Sequence, residues 1–97
     1  MVTVRLSHHP RLCLTADGHA GAAPKGEDVV CAGISTILCT LAEVLRQAGV
    51  SGYTHLEPGH AELCVRETAQ TEAAFSFAET GLRLLAAQYP KHLRLLP

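Results

Sequence analysis

Two residue types capable of acyl-transfer chemistry stand close together in the stretch GHAGAAPKGEDVVCAGIS, residues 18–35. His19 opens it and Cys31 lies near its end. A thiolate is a nucleophile, and an imidazole within reach can take the thiol proton and later protonate a leaving amine. The sequence after Asp28 reads as an apolar helix, with Asp28 as its N-cap. That places Cys31 in the first helical turn, where the positive end of the helix dipole and backbone N–H groups without helical partners favour thiolate over thiol. The same N–H groups suit an oxyanion hole. Gly18, Gly21 and Gly26 make the intervening segment a flexible loop, able to fold His19 back toward Cys31 and to move over a peptide. On residue types alone two readings stand. The pair is nucleophile and base, or a loop histidine and a first-turn cysteine with no chemical relation.

The other histidines and cysteines give weaker signals. His60 sits in a second Gly-His-Ala triplet, ahead of an alternating strand and without a cysteine at comparable reach, and reads as structural. His8, His9, His55 and His92 read as turn or surface residues. Cys39 falls two turns further into the helix, among Leu and Ile, and reads as a core residue. Cys13 and Cys64 lie in strand patterns and read as packing thiols. No C-x-x-C occurs, which argues against a zinc ribbon or a thioredoxin-type redox pair. Cys31 and Cys39 would stand about 12 Å apart along one helix, too far for a disulfide, and Cys39 is poorly placed as the resolving thiol of a redox sensor. Neither a metal nor a cofactor is expected from the ligand spacing.

The elements that must position these residues follow from hydrophobic periodicity. Residues 2–8 and 11–17 alternate and form a predicted hairpin around His9-Pro10. The helix carries Val30, Ile34, Ile37, Leu38, Leu41 and Leu45 on one face and ends at Gly49. Residues 52–56 and 60–66 predict a second hairpin around Glu57-Pro58-Gly59. A second helix over 71–88 presents Ala74, Phe75, Ala78, Leu82, Leu85 and Tyr89. Gly81 costs it about 1 kcal/mol relative to alanine, and Pro90 stops it. Residues 92–96 read as a short edge strand. The order β-β-α-β-β-α-β predicts an α+β fold, a mainly antiparallel sheet of four to five strands with two helices packed on it.

Size and composition set the outer limits. Ninety-seven residues make one domain over 1–97, with roughly 60–65% of the unfolded chain's surface buried. The hydrophobic share is 47%, the charged share 18% and the net charge −1. No basic stripe with interleaved aromatics appears, which argues against direct nucleic-acid binding. No apolar run approaches the roughly 20 residues of a membrane span, and the N-terminus lacks a signal-peptide pattern. The expected location is cytoplasmic, where thiols stay reduced.

The stretch 18–35 also resembles the signature of the ribosomal-processing cysteine protease family: G-H-A, a glycine-containing loop, then G-x-D-(I/V)-V-C-A-x-x-S at a helix head. Gly18, His19, Ala20, Gly26, Asp28, Val30, Cys31, Ala32 and Ser35 carry the match, and the ending YPKHLRLL is similar to the family's. The resemblance implies a cytoplasmic bacterial endopeptidase. Such an enzyme removes a short N-terminal extension, ending in an apolar, aromatic-rich sequence, from a large-subunit ribosomal protein. It implies Cys31 as nucleophile, His19 as general base, supporting positions at Asp28 and Ser35, a loop that moves when substrate binds, and a homodimer. The loop AGAAPKGE departs from the family by its extra alanines and its proline, which bears on lid stiffness and substrate preference. The competing reading is a non-catalytic, ribosome-associated binding module.

Overall fold

A computed structural model of the chain describes residues 1–8, 10–21, 23–24 and 28–96. The expected turn residue His9 and the loop glycine Gly26 lie outside them. The strands are β1 (Val2–Ser7), β2 (Leu12–Gly18), β3 (Gly52–Glu57), β4 (His60–Val65) and β5 (Leu93–Leu96), and the helices are α1 (Val29–Ala48) and α2 (Ala69–Gln88). The strands form one sheet in the order β3-β4-β2-β1-β5. The α+β expectation holds, with one parallel pair, β1 with β5, in an otherwise antiparallel sheet. Crossing the sheet through α2 brings β5 back in the direction of β1, which a hairpin cannot do.

Alternation along the strands sends Val2, Val4, Leu12, Leu14, Ala16, Ala61, Leu63, Val65 and Leu93 into the core. Val30, Ile34, Leu38, Leu41 and Leu45 of α1 and Phe75, Ala78 and Leu82 of α2 meet them there. Thus α1 buries the predicted stripe, with Ile37 only partly covered. By length and composition α1 could also cross a membrane, at a mean hydropathy of 1.7. Glu43 and Arg46 break its apolar run in sequence, and in the fold its stripe lies on the sheet. The β3 strand is exposed along its whole length, because the helices do not reach that edge.

The ends of the helices follow capping chemistry. Asp28 accepts the Cys31 N–H at 2.9 Å, and Gly49 closes α1 in the left-handed region at φ 67°, its N–H donating to Leu45 and Arg46 carbonyls. The second helix starts at Ala69, earlier than the predicted Thr71. Thr68 is the cap and Thr71 the third helical residue, and the two bond reciprocally. A threonine there replaces the usual Glu or Gln of a capping box, so the signal was hidden.

The helices approach closely at two glycines. A Cβ on Gly33 would meet Leu85 Cδ2 at 3.1 Å, and one on Gly81 would meet Ile37 Cδ1 at 3.2 Å. Gly81 is therefore a seat for Ile37 as well as a cost to the helix. On the face of the sheet away from the helices, Cys13 and Cys64 are joined as a disulfide. They are direct cross-strand partners with Cα atoms 4.1 Å apart. The packing-thiol expectation is corrected here: the β2–β4 register sets side by side two cysteines that are remote in sequence.

Candidate active site

At one end of the sheet the last residue of β2, the β3–β4 turn and the first turns of α1 enclose a cleft of about 630 Å³. His19, Asp28, Cys31 and Ser35, all singled out from the sequence, line it. The fold thus gathers both candidate catalytic residues and both supporting ones around one space. Glu57, Pro58 and His60 line it as well.

Cys31 is the third residue of α1, and its thiol is free and exposed. Its place in the first turn follows from the Asp28 cap. The cap also changes the expected oxyanion hole. The Cys31 N–H already donates to Asp28 Oδ1, and Ala32 N–H bonds to the Asp28 carbonyl. The remaining amides of the first turn belong to Val29 and Val30, for which an α-helix provides no internal acceptor. Ser35 lies one turn on, on the same exposed face. Cys39 continues that face and is exposed, which corrects its reading as a core residue. It directly follows the buried Leu38, and one residue is about 100° around a helix. Cys39 lies outside the cleft.

His19 follows β2 immediately. Gly18, expected within the flexible loop, is the last residue of β2, and its N–H donates to the Gly59 carbonyl at 2.9 Å. Gly18 has φ 106°, and a Cβ there would fall 2.2 Å from the Met1 carbonyl oxygen. Only glycine fits. Gly21, at φ 66°, also borders the cleft. The His19 ring rests on the β3–β4 turn: a Cβ on Gly59 would lie 2.9 Å from His19 Nε2.

The two Gly-His-Ala triplets are therefore neighbours in space. The β2–β4 register pairs Asp17 with His60, and His60 Nδ1 lies 2.5 Å from Asp17 Oδ1, with Nε2 3.5 Å from Glu62 Oε2. The Asp17 bond raises the pKa of His60, against a smaller opposing effect of desolvation, and Glu62 adds to the rise. Sequence spacing placed His60 out of reach of a cysteine, and the sheet register returns it to the same cleft. The sequence does not announce Glu57 and His60 as cleft residues, nor Asp17 as the partner of His60, because their signal is strand pairing rather than local spacing. Among the described residues no group of three His, Cys, Asp or Glu side chains is placed to hold a metal ion.

The Asp28 cap gives the first testable outcome. Asp28→Ala is expected to lower stability by about 1 kcal/mol, a fall in Tm of roughly 4–8 °C. Asp28→Asn, which still accepts the Cys31 N–H, is expected to keep most of it. Thermal denaturation of the three proteins checks this, and an unchanged Tm in Asp28→Ala contradicts it.

A thiol at a helix N-terminus and an imidazole lining the same cleft suit acyl transfer. The model of one protein family, described as cysteine protease Prp, matches residues 1–94. The ribosomal processing cysteine protease Prp of Mycoplasma pneumoniae is 31% identical over 94 residues, covering 96% of this chain and 91% of the relative. The protein of the same name from Mycoplasma genitalium is 30% identical over 102 residues, covering 96% and 92%. In fold, the chain is similar to the essential ribosomal processing protease Prp from S. aureus, solved with a covalently linked product peptide. The TM-score is 0.87 at 20% identity, over 98% of this chain and 97% of that one.

Proposed function

Given that this chain belongs to the cysteine protease Prp family, we propose that it removes the N-terminal extension of a large-subunit ribosomal protein, with Cys31 as nucleophile and His19 as general base. The observation that carries the assignment is the single cleft that holds Cys31, capped at a helix head by Asp28, together with His19.

Mechanistically, His19 takes the Cys31 proton and the sulfur attacks the scissile carbonyl carbon. The C=O electrons move to oxygen, and the exposed head of α1, with the first-turn amide of Val29, is placed to meet that charge. Collapse breaks the C–N bond, and His19 gives its proton to the departing amine. Water then loses a proton to His19 and attacks the thioester. The extension leaves as a carboxylic acid, and the sulfur recovers its proton. Asp28 holds the helix head through the Cys31 amide, and Ser35 borders the path of the peptide.

The proposal extends to a homodimer in the cytoplasm. Phe77 and Leu84, 82% and 66% exposed on one side of α2, support a partner-covered face. A cytoplasmic setting would favour the reduced form of the Cys13–Cys64 pair.

The test is incubation with the ribosomal protein bearing its extension, followed by intact-mass spectrometry. The expected product is the protein shortened by the extension alone, with the freed extension beside it. An unchanged substrate, or cuts scattered through the folded part, would overturn the reading.

A further inference from the structure

Resting on His19 as the base, we propose that His92 is a positioning residue for it, acting through the carbonyl of Ala20. His92 Nδ1 lies 2.9 Å from the Ala20 oxygen, a contact between residues 72 positions apart in the chain. A carbonyl oxygen only accepts, so Nδ1 carries the hydrogen, and in the neutral ring Nε2 is bare. The sequence reading made His92 a turn or surface residue. In the fold it is half-buried in the turn just before β5, and its ring meets the segment that bears His19.

His92 is itself well fixed. Its N–H donates to the Tyr89 carbonyl at 2.9 Å, and its carbonyl accepts the Val2 N–H at 2.9 Å. It therefore couples the end of α2 and the edge of β1 to the cleft. On the other side of the contact, Ala20 is 2% exposed, and such a buried carbonyl needs a partner.

Residues 19–21, directly after β2, belong to no helix or strand, so their geometry depends on individual ties. Gly18 N–H donates to the Gly59 carbonyl, and the amine of Met1 donates to the His19 carbonyl at 2.6 Å. Both are backbone bonds. The His92 bond is a tie made by a side chain, on the C-terminal side of His19. Without it, Ala20 can turn its carbonyl away, and His19 loses its fixed place in the cleft beside Gly59. A displacement of about 1 Å at a reacting group can cost on the order of 100-fold in rate.

The experiment compares His92→Ala, His92→Asn and His92→Gln on the peptide that spans the processing site. Rates are normalised to folded protein, with Tm recorded for each. Asparagine places an amide nitrogen near the position of Nδ1, whereas glutamine carries it one carbon further out. His92→Ala and His92→Gln are expected to lose about 10- to 100-fold in kcat, with KM changed less than threefold or so, and His92→Asn to recover most of the loss. A general loss of fold would instead lower Tm and scale all three alike. If His92→Ala does not fold, the asparagine–glutamine difference carries the same test. Wild-type kcat in His92→Ala or His92→Gln, or a His92→Asn protein no better than His92→Gln, overturns the proposal. His19→Ala runs alongside: if it is inactive while His92→Ala is fully active, only the positioning role fails, whereas an active His19→Ala removes the base assignment itself.

Discussion

Cys31→Ala is expected to lower cleavage of the processing-site peptide by roughly 10⁴-fold or more, with the fold intact. The two halves of this prediction have separate causes. The Cys31 side chain is exposed at the head of α1, outside the buried stripe from Val30 to Leu45. Its removal leaves no cavity, and a surface change of this kind stays within about 0.5 kcal/mol. The cap survives too, because Asp28 bonds the backbone N–H of residue 31 and not its thiol. What disappears is the sulfur, and among the described residues the cleft holds no second thiol. Cys39→Ala is the matched control. That thiol is exposed as well, but it lies two turns away and outside the cleft, so rate and stability are expected to stay at wild-type values. Steady-state cleavage with Tm measurements on both variants checks the pair. An active Cys31→Ala, or an inactive Cys39→Ala, contradicts the assignment.

His19→Ala is expected to cost about 10²–10⁴-fold in kcat/KM, the usual worth of a positioned general base. The residual rate is expected to rise with pH, since hydroxide can then do part of what the imidazole did. The contrast with His60 gives this prediction its force, for both histidines line the cleft. His60 is engaged through Nδ1 with Asp17 and faces Glu62 through Nε2, and its proton is held more tightly than in an ordinary histidine. A base that keeps its proton is poorly matched to accepting one from a thiol. The His19 ring instead lies against the bare Cα of Gly59. The loss in His19→Ala is therefore expected to exceed that in His60→Ala by at least about tenfold. The reverse order in a pH–rate comparison would transfer the role of base to His60.

The sequence disclosed whatever is encoded locally. Asp28 and Gly49 bound α1 as helix-capping chemistry requires, and the strand alternation separates core from solvent along β1 and β2, though not along the wholly exposed β3. The Gly-His-Ala and Asp-x-x-Cys elements lie in one stretch, so His19, Asp28, Cys31 and Ser35 could be named together. What stayed hidden depends on pairing across the chain. The contact of Cys13 with Cys64, the approach of Asp17 to His60 and the hold of His92 on Ala20 are consequences of register and topology. No local spacing announces them. Cys39 was misplaced for a different reason. Apolar neighbours in sequence suggested burial, but one residue beyond Leu38 the helix has already turned toward solvent. Gly81 shows the same gap between local and tertiary effects: a weak helix former alone, it gives Ile37 room when two helices meet.

The most direct test of Cys31 as the nucleophile is to follow cleavage while the free thiols are alkylated with iodoacetamide, locating each modification by peptide mass mapping. Loss of activity is predicted to track modification of Cys31 one for one and to be independent of Cys39. Protein fully alkylated at Cys31 that still cleaves the processing-site peptide at the wild-type rate would contradict the account.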